Sequence, residues 1–100
     1  MRPAQAAKVL RIHIAEPDKT AGAPLYQAIV AKCRELKIAG ASVFVGLEGY
    51  AEISNARPLD ITVVDTPENI DRLIPILAEM VDTGLMSVST AQVIRVEAKA

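Results

Sequence analysis

Apolar residues recur with two different spacings along the chain, and the order of those spacings predicts the order of the elements. Large aliphatic side chains alternate with other residues over positions 9–14, which predicts a strand with one apolar and one mixed face. Three further segments rich in β-branched residues, at positions 41–46, 59–65 and 89–96, are also predicted to be strands. The residues expected to be buried in and beside the last strand are Val88, Val93, Ile94 and Val96.

Two segments between these strands carry apolar residues at helical spacing. The first helix is predicted over residues 24–36, with Pro24 in its first turn. The second helix should begin after Thr66, because the Thr66 hydroxyl can cap it and the next two residues are proline and glutamate. Gly84 suits the left-handed position after its last turn, and Pro75 should bend it. The apolar stripes consist of Leu25, Ile29, Cys33 and Leu36 in the first helix and of Ile70, Leu73, Ile74, Leu77, Met80 and Val81 in the second.

The resulting order, β-α-β followed by β-α-β, is typical of a ferredoxin-like α+β sandwich. In that fold a four-stranded antiparallel sheet carries both helices on one face. We expect a single domain over residues 8–100. A disordered tail is expected over residues 1–7, where three alanines occur without any apolar period.

The other face of this sheet has no predicted helix to cover it. An exposed apolar patch on a small domain usually marks an association surface. The pattern therefore predicts a homo-oligomer that assembles through the uncovered face. The apolar residues expected on that face are Val9, Val64, either Val45 or Phe44, and either Val93 or Ile94.

The composition excludes several classes of function. Of the 100 residues, 51% are apolar and 3% aromatic, so the chain can form one aliphatic core and has few rings to stack on a base. Eleven basic and twelve acidic residues leave a net charge of -1, which argues against nucleic-acid binding. Because the apolar runs are short and there is one cysteine and no secretory leader, we expect a soluble cytoplasmic protein without membrane insertion.

The chain contains no recognisable catalytic, metal-binding or phosphate-binding motif. We therefore expect no enzymatic activity, no cofactor and no metal. The single histidine, His13, is expected to be a sheet-face residue at a subunit contact, and a catalytic role with Glu48 or Asp65 is the less favoured interpretation. Cys33 lies on the apolar stripe of the first helix and is expected to be unreactive.

The segment between the second and third strands holds the best candidates for ligand binding. Gly46 and Gly49 bracket a turn in which backbone amides could approach a ligand. Tyr50 offers a ring with a hydroxyl, and Arg57 offers a guanidinium. Lys19, in the loop after the first strand, is a weaker candidate. The alternative interpretation is an ordinary connection whose glycines serve backbone geometry and whose arginine is solvated.

Three runs of sequence resemble one protein family: DKTAGAPLYQAIV at residues 18–30, AGASVFVGLEGY at 39–50 and VVDTPENIDRLIPILAEMVDTGL at 63–85. Together, over about residues 8–96, they are similar to the bacterial domain of unknown function family 190, a PII-like group. The resemblance implies a homotrimer of ferredoxin-like subunits whose open sheet faces point to the centre. It also implies that a small effector, such as an adenine nucleotide, binds between subunits and reorders the loop after the second strand to control a partner protein.

By position, the resemblance assigns the base of that loop to Gly46, Leu47, Glu48, Gly49 and Tyr50. Two departures restrict the ligand. The connection to the third strand is shorter than in the family, and residues 84–87, after the second helix, lack a glycine-rich phosphate loop with a lysine. Both features favour a small anion or a nucleoside monophosphate over a triphosphate. At Lys37, where the family often has glycine, a left-handed backbone would cost about 1 kcal/mol.

Two functions are therefore expected as alternatives. The first is a PII-like regulatory protein that binds a small anionic effector or nucleotide in clefts between subunits, near residues 46–57. The second is a non-catalytic structural or interaction module that oligomerises through its sheet face without a metabolite.

Overall fold

The computed structural model of the chain describes residues 3–46 and 57–97. Its strands are β1 (Gln5–Ala15), β2 (Lys19–Thr20), β3 (Ala23–Pro24), β4 (Ala41–Val45), β5 (Pro58–Asp65) and β6 (Leu85–Val93), and its helices are α1 (Leu25–Glu35) and α2 (Pro67–Met80). β2 and β3 form a short hairpin, which the sequence analysis treats as loop. The other strands form one antiparallel sheet in the order β4-β5-β1-β6. The predicted ferredoxin-like arrangement is confirmed.

The core lies between the two helices and one face of the sheet. Ile12 and Ile61 face each other across β1 and β5, and neither is exposed to solvent. Ile29 of α1 and Leu73 of α2, both from the predicted apolar stripes, belong to the same buried cluster. Each such side chain contributes about 2 kcal/mol by leaving water. Both helices therefore cover the same face, as the alternation in the first strand predicts.

β1 begins earlier than the sequence predicts. The expected disordered tail is wrong for residues 5–7, because they belong to β1, with Gln5 opposite Val93 and Ala7 opposite Ala91 of β6. The side chain of Ala7 is buried. Alanine contributes little to hydrophobic alternation, so this part of the strand is recognisable only from its pairing with β6.

β6 spans residues 85–93, earlier in the chain than the expected segment at 89–96, because it pairs along the length of β1. The expected burial of its residues is wrong for three of the four. Val88 is 47% exposed, Ile94 51% and Val96 81%, whereas Val93 is half-buried. β6 is an edge strand, and Ile94 and Val96 lie beyond its last residue, so no strand among the described residues shields them.

The connections around the helices follow the sequence at two points and differ at a third. The Thr66 hydroxyl accepts a hydrogen bond from the amide of Asn69 at 3.2 Å and caps α2, as predicted. Lys37 has a left-handed backbone, with φ +59°, which is the case for which the sequence gives a cost of about 1 kcal/mol. Gly84 is not left-handed, and the prediction for it is wrong. Glycine is required there because a Cβ atom would lie 2.8 Å from the carbonyl oxygen of His13.

The register of the strands decides which residues occupy the uncovered face. Val9 lies opposite Val64, and both belong to that face, as predicted. Phe44, opposite Asp60, points to it, and Val45 does not. At the other edge the residue on the face is Val93, since Ile94 lies outside β6. The face also carries polar residues, so it is less apolar than the valines alone suggest; these are Gln5, Arg11, His13, Ser42, Asp60, Thr62, Ser87 and Ser89.

Candidate functional site at the loop end of the sheet

The candidate ligand residues that the structure describes gather where β1 and β4 finish and β5 begins. We call this region the loop end of the sheet. The amide of Glu16 donates to the carbonyl oxygen of Arg57 at 2.9 Å, and the amide of Gly46 donates to that of Pro58 at 2.9 Å. These bonds extend the pairing of β5 beyond its neighbouring strands. Three chain segments are therefore held together where the connection between β4 and β5 departs.

Gly46 has a structural reason to be glycine. A Cβ atom at this position would lie 2.5 Å from Cγ of Pro58, closer than two carbon atoms can approach. Its amide is already used in the bond to Pro58, so Gly46 does not offer that amide to a ligand. Gly46 therefore has a packing role in the sheet, and its amide does not have the predicted role of a donor to a ligand.

Arg57 carries the positive charge of the loop end. Its Nε atom lies 3.7 Å from Oε2 of Glu16, and the two side chains are 56% and 51% exposed. A contact of this length in solvent is a weak ion pair. A guanidinium can bind a carboxylate or phosphate through two parallel hydrogen bonds. The Arg57 side chain is therefore accessible to solvent and only weakly paired, and its role in binding a ligand stays a prediction.

Lys19 lies in the same loop as Glu16 but further from the sheet. The Asp18 carboxylate accepts a hydrogen bond from the amide of Ala15 at 2.9 Å, which fixes the turn after β1. Lys19 then opens the β2–β3 hairpin, and its side chain is exposed. Lys19 lies opposite Pro24 in that hairpin, whereas Arg57 lies beside Glu16, so the two candidates belong to different segments.

The other predicted site residues, Leu47, Glu48, Gly49 and Tyr50, lie outside the described residues. Their assignment to the base of the loop stays a prediction. The described residues on either side of the segment, Gly46 and Arg57, directly follow β4 and directly precede β5, so the segment begins and ends at the loop end.

His13 lies on the uncovered face near the loop end, with Nδ1 3.9 Å from Oδ2 of Asp60. The pairing of His13 with Asp65 that a catalytic role requires does not occur. Asp65 pairs with Lys8, at the far end of the β1–β5 ladder. The alternative partner, Glu48, lies outside the described residues.

Asp65 organises the opposite end of the sheet, which we call the Asp65 end. Its carboxylate accepts hydrogen bonds from the amides of Ala39 at 2.9 Å and Thr66 at 2.6 Å, and from the side chain of Asn69 at 3.0 Å. Partial burial acts to raise the pKa of Asp65, but these hydrogen bonds, with the nearby charge of Arg72, hold it below its ordinary value. Asp65 therefore joins the connection between α1 and β4, the end of β5 and the start of α2.

A groove of about 540 Å³ opens beside the Asp65 end, on the uncovered face. The sequence predicts Val64, and either Val45 or Phe44, for that face, but it does not predict the groove, because the groove walls come from separate strands and loops. Among the residues that line it are Ala7, Ser42, Phe44, Thr62, Val64 and Arg95.

Other candidate chemistry is limited in the described part of the chain. Cys33 is buried, and this burial raises the pKa of its thiol, which disfavours the reactive thiolate. Within residues 3–46 and 57–97, no three His, Cys, Asp or Glu side chains are grouped closely enough to hold a metal ion. None of the helices in these ranges has both the length and the apolar character needed to span a bilayer.

Comparison with solved structures defines the class of fold. A PII-like signalling protein from Thermus thermophilus is similar with a TM-score of 0.70 and 14% identity, over 93% of this chain and 94% of that one. CPII, a nitrogen regulatory PII-like protein from Thiomonas intermedia bound to ADP, AMP and bicarbonate, has a TM-score of 0.69 and 16% identity, over 95% and 100%. The fold is therefore that of the PII-like proteins.

Sequence comparison identifies the family. Residues 7–93 match the DUF190 family, described as "Uncharacterized ACR". A UPF0166 protein from Methanocaldococcus jannaschii is 32% identical over 102 aligned positions, which cover 91% of this chain and 94% of the relative. The chain belongs to the DUF190 family, as the resemblance in its motifs predicts.

Proposed function

We propose that this protein is a PII-like regulatory protein that binds a small anionic effector at the loop end of the sheet. The observation that carries the proposal is the position of Arg57. Its half-exposed guanidinium lies where the connection between β4 and β5 departs, and its contact with Glu16 is a weak one. The similar CPII protein, bound to ADP, AMP and bicarbonate, supports a ligand of this class.

The charges at the loop end favour a small ligand with one anionic group. Among the described residues, Arg57 provides the positive charge of the proposed site. Lys19 is exposed in the neighbouring hairpin. Glu16 lies beside Arg57, and an acidic neighbour disfavours a highly charged triphosphate. Bicarbonate and AMP are therefore the first ligands to test, with contacts to Glu48, Gly49 and Tyr50 completing the site.

The uncovered face is proposed to form a homotrimer in the cytoplasm, with the ligand clefts between its subunits. Phe44 is 58% exposed and Val64 36%, which is unfavourable for an isolated subunit in water. We propose that ligand bound at a subunit boundary stabilises the trimer and changes the conformation of the connection between β4 and β5. That connection is proposed to signal to a partner protein, without catalysis.

Thermal unfolding with and without ligand tests the binding site. Bicarbonate, AMP, ADP and ATP are added separately, and a ligand at 100 times its Kd should stabilise the folded protein by about 2.7 kcal/mol. Arg57→Ala should lose this stabilisation. Arg34→Ala removes the same charge from the exposed surface of α1 and should retain it. No stabilisation by any of these ligands, or full stabilisation of Arg57→Ala, would contradict the proposed site.

Light scattering coupled to size exclusion tests the assembly. The unmodified chain should elute as a trimer at micromolar concentration. Phe44→Glu, which places a charge on the uncovered face, should shift the chain toward the monomer, whereas Ala78→Glu on the exposed surface of α2 should not. A monomeric unmodified chain would contradict the proposed trimer.

The alternative function, an interaction module without a metabolite, has two observations in its favour. The amide of Gly46 is already used in the sheet, and Arg57 already has Glu16 as a partner. The same two experiments separate the alternatives. A stable trimer that no ligand stabilises supports the interaction module.

A further inference from the structure

Glu16 and Arg57 are cross-strand partners one step beyond the end of the β1–β5 ladder. The last regular pair is Ala15 with Pro58, and the bond from the Glu16 amide to the Arg57 carbonyl oxygen continues the same register. Residues that lie directly opposite each other in an antiparallel pair project their side chains to the same side. The backbone therefore places the Glu16 carboxylate beside the Arg57 guanidinium whether or not the two charges bind tightly.

The contact between the two charges is poor as a hydrogen bond. Oε2 of Glu16 lies 3.7 Å from Nε of Arg57, beyond the distance of an N–H···O bond, and both side chains are half-exposed. Such a pair is screened by water and is easily replaced. Among the described residues, Glu16 provides the only carboxylate within ion-pair distance of Arg57.

We propose that Glu16 is an internal competitor that occupies Arg57 when the anionic effector is absent. This inference rests on the proposed function of the loop end. A carboxylate side chain offers the guanidinium the same acceptor oxygens as bicarbonate or a phosphate group. An incoming anion must displace Glu16 and then remains close to its negative charge. Glu16 thus sets the effector concentration at which the site fills, and binding of the effector releases its carboxylate.

The neighbouring acid does not share this role. The Asp18 carboxylate accepts the Ala15 amide at 2.9 Å and so has a structural function in the turn. Glu16 takes part in the fold through its backbone amide, which a substitution leaves in place. Glu16→Gln therefore removes the competing charge while preserving the length of the side chain and the pairing of the strands.

Calorimetric titration of the unmodified full chain and three variants with AMP and with bicarbonate tests the proposal. We expect Glu16→Gln to bind about fivefold more tightly than the unmodified protein, because a like charge near the anion is removed. Glu68→Gln, which makes the same charge change at the Asp65 end, should bind as the unmodified protein does. The double variant that carries Glu16→Gln and Arg57→Ala should not show this gain in affinity.

A ligand-free measurement distinguishes failure of this inference from failure of the proposed function. The NMR signal of the Arg57 Nε–H group should shift on Glu16→Gln and stay in place on Glu68→Gln. Equal or weaker binding by Glu16→Gln, or an unmoved Nε–H signal, overturns the competitor while leaving a ligand-binding unmodified protein intact. If no variant binds AMP or bicarbonate, the proposed function and the competitor are both overturned, even if the signal moves.

Discussion

The two ends of the sheet each carry a charged side chain at a connection, and the two side chains are bound very differently. At the Asp65 end the carboxylate accepts three hydrogen bonds, one from the connection after α1 and two from the start of α2. At the loop end, Glu16 is the one ion-pair partner of Arg57 among the described residues, at 3.7 Å, and both side chains are half-exposed. A charge whose hydrogen bonds are satisfied within the protein stabilises the fold, whereas a weakly paired charge is available to a ligand.

The backbone is packed more tightly at the loop end than at the Asp65 end, which is the opposite of the order for the charged side chains. At the loop end, Gly84 packs against the carbonyl oxygen of His13, and Gly46 packs against Pro58. At the Asp65 end, a Cβ atom at Gly40 would meet nothing within 4 Å. The loop end therefore combines a tightly packed backbone with an available charge, an arrangement that holds a binding group in position.

The largest expected effect tests this difference in backbone packing. Gly84→Ala should lower the free energy of unfolding by about 2 kcal/mol, because its Cβ atom must displace the β1 backbone. Gly40→Ala, in open space at the other end, should change it by less than about 0.5 kcal/mol. Urea denaturation measures both. Equal effects of the two substitutions would show that the ends are packed alike.

A smaller effect is expected from the carboxylate at the Asp65 end. Asp65→Asn should cost about 1 kcal/mol at pH 7, because charge-assisted hydrogen bonds are weakened. The pKa of Asp65 is lower in the folded than in the unfolded protein, so its contribution is fully present above the unfolded value and is lost as the pH falls through the folded value. The gap between the variant and the unmodified protein should therefore close in acid.

Urea denaturation at pH values from 7 to 3 measures this gap, and Glu68→Gln provides the control in the first turn of α2. A gap that stays constant over the whole range would mean that the Asp65 charge does not stabilise the folded state.

The smallest effect on stability is expected at Arg57. Its substitution by alanine should change the free energy of unfolding by less than about 0.5 kcal/mol, since an exposed pair at this distance contributes little. Comparison with Asp65→Asn under the same conditions completes the contrast between the two ends. A loss at Arg57 that exceeds the loss at Asp65 would reverse the assignment of structural and binding roles.

The sequence predicts the fold well where side-chain periodicity is strong. The apolar stripes of both helices and the buried alternation of β1 are found as expected, with Ile12, Ile29 and Leu73 in the core. It fails where periodicity is weak or where pairing decides the boundary. Gln5 and Ala7 join β1 only because β6 provides hydrogen-bonding partners for them.

The candidate site can be predicted only in part, because strand pairing decides which residues become neighbours. Arg57 can be selected from the sequence as an exposed cation in a connection, but its partner cannot. Glu16 lies far from it along the chain and becomes its neighbour only through the antiparallel register. The same register separates His13 from Asp65, which the sequence allows as a pair.

The sequence by itself determines the order of the elements, the covered face of the sheet and the family, because these depend on local spacing and on motifs. Tertiary structure decides that Gly46 and Gly84 are packing positions, that Asp65 has a structural role and that Glu16 lies beside Arg57. Each of those depends on which residues of separate segments come within a few ångströms of one another. Strand register sets such distances, and a one-residue slip would turn every side chain of the strand to the other face.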